Sequence, residues 1–84
     1  MADPRSVSLS RRAVKSIGHA EPRLKERIRE AVRELAANPL LGKKLKGELE
    51  GLRSYRLGSH RIVYRFTADL LEIVHIDDRK DVYR

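Results

Sequence analysis

The chain contains no cysteine, which excludes disulfide staples, thiolate zinc sites and cysteine nucleophiles together and suits a reducing interior. No apolar run approaches the roughly 18 residues that a membrane span requires. The opening Met1 to Pro4 is too short and too polar to act as a secretory signal. A cytoplasmic address, with no membrane partner, is the expectation. Glycine-rich phosphate loops and serine-nucleophile motifs are absent, and none of the three histidines has metal-ligand spacing, so neither a metal nor a small-molecule cofactor is expected. No repeat or low-complexity tract breaks the chain. Its 84 residues read as one domain, 1–84, and a domain of this size hides only about 60–65% of the surface its unfolded form exposes, so the core is small.

Acid is scarce relative to base. Nineteen Lys and Arg face twelve Asp and Glu, a net charge of +7 that favours a polyanionic partner. The excess peaks between Gly42 and Arg65, where Lys43, Lys44, Lys46, Arg53, Arg56, Arg61 and Arg65 meet only Glu48 and Glu50.

Val7 and Leu9 alternate with serines, as in a short strand with one buried face. Ser10 then serves as N-cap for a helix of about two turns carrying Ala13, Val14 and Ile17, with Gly18 as a left-handed stop. Pro22 opens a longer helix whose Leu24, Ile28, Ala31 and Leu35 recur at helical spacing. Its other face interleaves Lys25, Arg29 and Arg33 with Glu26, Glu30 and Glu34, a pattern that reads as solvated surface. Asn38-Pro39 ends this helix, and a loop runs on to Gly51. The remainder alternates at period two through Tyr55 and Leu57, through Ile62, Tyr64 and Phe66, and through Leu71, Ile73 and His75, with turns at Gly58-Ser59 and Ala68-Asp69. The expected fold is α+β: a small antiparallel sheet with two N-terminal helices on one face and the other face open.

Glycine at the first central position suits a type II′ hairpin at Gly58-Ser59. Leu57 then pairs with His60, Arg56 with Arg61 and Tyr55 with Ile62, so both arginines project from the open face. Like charges directly opposite cost a sheet some tenths of a kcal/mol, whereas two guanidinium forks aimed at one spot can grip a phosphate. The same reasoning pairs Arg65 with Glu72 and gives Arg56 and Arg61 no cross-strand acid. The bland alternative has both arginines fanning into solvent or reaching Asp77 and Asp78. The tail Asp77-Asp78-Arg79-Lys80-Asp81-Val82-Tyr83-Arg84 could bring Arg79, Lys80 and Tyr83 to the same face by folding back.

The helix end Ala37-Asn38-Pro39, the loop Gly42-Lys43-Lys44-Leu45-Lys46-Gly47, the hairpin Tyr55 to Tyr64 and the closing Arg79-Lys80-Asp81-Val82-Tyr83-Arg84 together resemble the RelE/ParE superfamily of type II toxin–antitoxin toxins, and more closely its RelE branch of ribosome-dependent messenger RNA endonucleases. The resemblance spans nearly the whole chain. It implies a RelE-like fold, a RelB-like antitoxin partner, action on messenger RNA at the ribosome, and Arg61, Arg56, Arg79 and Tyr83 as catalytic residues. Lys44, Lys46, Arg53, His60 and Lys80 are the candidates for substrate binding. Asp77-Asp78 stand where many relatives have Gly-His, His60 where many have Tyr, and Ser54 where some have Lys, departures consistent with a weakened nuclease.

RNA carries its own nucleophile, the 2′-hydroxyl, so cleavage needs a base, charge stabilisation at phosphorus and an acid for the departing 5′-oxygen, and no metal. Permanently charged arginines suit the middle task, leaving proton transfer to Tyr83, Lys80, His60 or the ribosome. His19 reads as a solvated loop residue and His75 as a core-facing structural histidine. The alternatives are a ParE-like toxin that inhibits DNA gyrase and cuts nothing, and a non-enzymatic RNA-binding module.

Overall fold

The structure, a computed structural model, describes residues 4–45 and 51–78. Strand β1 (Ser6–Leu9) leads into helices α1 (Arg11–Gly18) and α2 (Pro22–Ala37). A 3₁₀ turn (Pro39–Leu41) and strands β2 (Lys43–Lys44), β3 (Arg53–Leu57), β4 (His60–Phe66) and β5 (Leu70–Asp78) follow. Among the described residues they form one five-stranded sheet in the order β1-β5-β4-β3-β2. The α+β expectation holds with two amendments. The sheet is mixed, because β1 pairs parallel with β5. The expected loop after Pro39 begins with a short ordered strand, β2, antiparallel to β3.

Helix α1 starts where the sequence places its cap: the Ser10 hydroxyl accepts from the Ala13 amide at 3.1 Å. It ends differently from the expectation. Gly18 is the last helical residue and has no positive φ, because the chain continues in right-handed geometry through His19, whose amide donates back to the Lys15 carbonyl. Pro22 occupies the first turn of α2, where its missing N–H is not needed. The apolar stripe of α2 is buried at Ile28, Ala31 and Leu35, while the six interleaved charges are all exposed, as a solvated face requires.

Those three residues and Ala13 of α1 pack on Ile62, Tyr64, Leu71, Ile73 and Ile76 of the sheet. Both helices thus cover one face, and no element among the described residues covers the opposite one. Tyr64 is fully buried yet satisfies its hydroxyl twice: it donates to the Pro39 carbonyl at 2.5 Å and accepts from the Gly42 amide at 2.9 Å. A Cβ at Gly42 would stand 2.6 Å from the Ser54 carbonyl oxygen and closer still to that hydroxyl, so only glycine fits beside it.

Strand β5 carries a bulge. Phe66, Arg65 and Tyr64 oppose Leu71, Glu72 and Ile73, after which Val63 opposes His75, Ile62 opposes Ile76 and Arg61 opposes Asp77. Val74 is the extra residue. The bulge is fastened from outside the sheet by Ser10, whose amide donates to the Ile73 carbonyl at 3.0 Å and whose hydroxyl donates to the Val74 carbonyl at 2.5 Å.

Candidate nucleic-acid interface

The β3–β4 hairpin has the expected register: Leu57 with His60, Arg56 with Arg61, Tyr55 with Ile62 and Ser54 with Val63. Gly58 has φ +62° and Ser59 has no positive φ, the signature of a type II′ turn. The pair flanking such a turn is hydrogen-bonded, so Arg56 and Arg61 form the closer kind of pair, with Cα atoms about 4.5 Å apart. Two cations therefore stand side by side on the open face.

Successive strands arrange that face in rows. One row runs Arg56, Arg61, Asp77; the next runs Lys43, Ser54, Val63, His75; beyond them lies Arg65 with Glu72. Arg65 and Glu72 form the expected ion pair, at 2.5 Å. Arg61 departs from the expectation of no cross-strand acid and meets the alternative one: its Nη2 lies 3.4 Å from Asp77 Oδ2. The bulge is the reason. Without an extra residue Arg61 would oppose Ile76; Val74 advances β5 by one and brings Asp77 across instead. Arg56 is exposed and has no ion-pair partner among the described residues.

The bulge also moves His75. It is not core-facing, because Ile76 takes the buried position and His75 shares the open face with Asp77, against whose Oδ1 its Nε2 lies. The Arg12 guanidinium reaches the same nitrogen from α1, at 3.2 Å. One carboxylate thus links His75 to Arg61. His75 Nδ1 and Arg61 Nε are buried without a partner among the described residues.

Two expected binding residues are placed elsewhere. His60 shares the parity of Ile62 and faces the helix side, within 3.3 Å of the Ser59 hydroxyl. It lines a cavity of about 1050 Å³ together with His19, Arg23 and Arg27. Strand alternation separates it from neighbouring Arg61. Arg53, opposite Tyr64, turns inward as well, and its Nη2 donates to the Gly42 carbonyl at 2.6 Å and to the Leu40 carbonyl at 3.3 Å. It is a structural strut. His19 is exposed, as expected.

Lys44 and Lys43 are exposed and line, with Arg56 and Arg61, a second cavity of about 560 Å³. Lys43, part of the basic cluster in the sequence, is not among the substrate-binding candidates read from it. Its place opposite Ser54 follows only from the pairing of β2 with β3, for which a two-residue strand gives no periodic signal. Lys46, Arg79, Lys80 and Tyr83 lie outside the described residues. Metal-ligating groups of three or more His, Asp or Glu do not occur among the described residues.

A family model described as the ParE toxin of the type II toxin–antitoxin system, parDE, matches residues 7–83. The chain belongs to this family of toxins. The toxin is 41% identical over 70 residues to Toxin RelE of Mycobacterium tuberculosis, covering 74% of this chain and 72% of that one. It is 33% identical over 85 residues to Toxin RelG of the same organism, covering 96% and 98%. Its fold superposes with a TM-score of 0.84 at 29% identity on a chain of the toxin–antitoxin complex RelBE2 from M. tuberculosis, covering 94% of this chain and 95% of that one. The resemblance to the RelE/ParE superfamily and the RelE-like α+β fold are both borne out. No described helix is long and apolar enough to cross a membrane.

Proposed function

We propose that this toxin is a ribosome-dependent messenger RNA endonuclease of the cytoplasm, a single RelE-like domain restrained by a RelB-like antitoxin. The observation that carries the reading is the opposition of Arg56 and Arg61 on the open face, beside a cavity that also holds Lys43 and Lys44. Aligned cations serve a phosphorane, whose extra negative charge develops as the 2′-oxygen attacks. In that step the 2′-oxygen gives up its proton and bonds to phosphorus, the bond from phosphorus to the 5′-oxygen breaks, and the 5′-oxygen takes a proton, leaving a 2′,3′-cyclic phosphate. Arg61 and Arg56 orient and stabilise the phosphate. Arg79 and Tyr83 of the tail are proposed to complete the site, with Lys46 and Lys80 as further phosphate contacts. Tyr83, Lys80 or the ribosome supplies proton transfer; His60, on the helix side, does not.

RelB–RelE complexes among the structural relatives support an antitoxin partner, and the uncovered basic face suits an acidic segment that folds as it binds. The matching family model is that of ParE toxins, which favours a second reading: inhibition of DNA gyrase without cleavage. Primer extension on a message translated with the purified toxin separates the two. Ribosome-dependent cleavage that falls by about 10²- to 10³-fold in Arg61→Ala supports the nuclease; an intact message with blocked supercoiling supports the gyrase reading.

A further inference from the structure

Leu41 is a large apolar side chain that the fold leaves 48% exposed, and its neighbour Leu40 is 66% exposed. Their position is not slack. The turn that carries them is held by four hydrogen bonds: Tyr64 to the Pro39 carbonyl, the Gly42 amide to Tyr64, and Arg53 to the Gly42 and Leu40 carbonyls. A buried tyrosine and a strand arginine thus keep an apolar surface turned toward water. Leu41 and half-buried Leu45 line the 560 Å³ cavity that Lys43, Arg56 and Arg61 also line. Leu45 is itself fixed, its amide donating to the Leu52 carbonyl at 2.9 Å.

From this juxtaposition we infer that Leu41 and Leu45 form a nucleobase shelf, binding the flat apolar face of the nucleotide whose phosphate Arg56 and Arg61 hold. A nucleotide has both chemistries, an anionic end and an apolar face, at the separation one small cavity spans, and apolar surface held rigidly beside cations matches that pair. Recognition by apolar contact is tolerant of base identity, since every base offers such a face. The shelf rests on the nuclease reading above and adds to it a residue that fixes which way the bound nucleotide turns.

The test is titration calorimetry on the full chain with two probes, adenosine 5′-monophosphate and ribose 5-phosphate, which carry the same phosphate and differ in the base. The wild type should bind the base-bearing probe about three- to tenfold more tightly. Leu41→Ser, an exposed substitution, should shrink that gap to about twofold or less with the ribose 5-phosphate affinity unchanged, and Leu41→Met should restore it. Arg61→Ala should weaken both probes. No gap in the wild type, a gap that survives Leu41→Ser, or an equal loss for both probes overturns the shelf while leaving the phosphate site standing. Failure of the wild type to bind either probe overturns the shelf, whereas the nuclease reading on which it rests is overturned separately, by an intact message in the primer-extension experiment.

Discussion

The two sides of β4 were built by different rules. Toward β3, a glycine turn sets the pairing residue by residue, and Arg56 meets Arg61 as the turn dictates. Toward β5, pairing begins in register at Phe66 and Leu71, then slips by one at Val74. The first junction places like charges together. The second brings an acid, Asp77, to one of them and not to the other. Arg61 is consequently anchored, at 27% side-chain exposure against 19% for Asp77, whereas Arg56 is exposed. On the proposed nuclease reading, the contrast gives the two arginines different tasks: a fixed guanidinium that defines where phosphorus sits, and one without an ion-pair partner among the described residues that can follow charge as it develops.

Breaking the grip itself gives the largest effect. Arg61→Ala should cost about 10²- to 10³-fold in cleavage, and Arg56→Ala should cost less because a mobile cation loses part of its binding free energy to ordering. Single-turnover cleavage of ribosome-bound message measures both. Equal losses would dissolve the distinction between anchored and free arginines.

Next comes the turn. Gly58 holds φ at +62°, and alanine there should destabilise the domain by about 1–2 kcal/mol, read as a fall in Tm of about 4–8 °C per kcal/mol. The nearest atoms to an added Cβ belong to the Arg27 guanidinium at 3.4 Å, a flexible end that can yield, so the cost is conformational. An unchanged Tm would show that the hairpin register does not depend on this glycine.

The β5 side answers to Asp77. Its carboxylate shares the charge of Arg61 and, on the proposed reading, competes with a phosphate for it. Asp77→Asn keeps the shape and removes the competitor, so phosphate affinity should rise about threefold, in keeping with roughly 0.5–1 kcal/mol for a partly exposed pair. Isothermal titration with inorganic phosphate measures it. A fall in affinity would instead mean that Asp77 aims Arg61 and that its orienting role outweighs its charge.

What the sequence disclosed follows the same division. Turn chemistry is local, so Gly58-Ser59 revealed the β3–β4 register, the two faces and the arginine pair. The N-cap at Ser10 and the apolar stripe of α2 were legible for the same reason, since each depends on neighbours a few residues away. The bulge was not, because Val74 looks like any strand valine. The bulge is held by the Ser10 amide and hydroxyl, 64 residues distant for the hydroxyl bond, and both departures on β5, His75 on the open face and a cross-strand acid for Arg61, follow from the shift in register. The placement of His60 and Arg53 on the helix side has another origin. Basic residues close along the chain need not share a surface, because strand alternation sends neighbouring residues to opposite sides.

The smallest effect belongs to Arg65 and Glu72, which obey the in-register half of the β4–β5 junction. Their contact is short, 2.5 Å, but Arg65 is 61% exposed, so solvent screening and the entropy of holding a long side chain consume most of the attraction. A double-mutant cycle of Arg65→Ala and Glu72→Ala should give a coupling of about 0.5 kcal/mol or less, with cleavage unaffected. This pair serves as the internal reference for Arg61 and Asp77. Both are cross-strand arginine–carboxylate pairs on one face of the same two strands, differing in burial and in which side of Val74 they occupy. If the Arg65–Glu72 cycle matched an Arg61–Asp77 cycle in size and in its lack of effect on phosphate affinity, the bulge would be an irregularity of the sheet with no bearing on the site. A larger coupling at Arg61–Asp77, accompanied by a change in phosphate affinity, would show that the extra residue in β5 is what sets the strength of the grip.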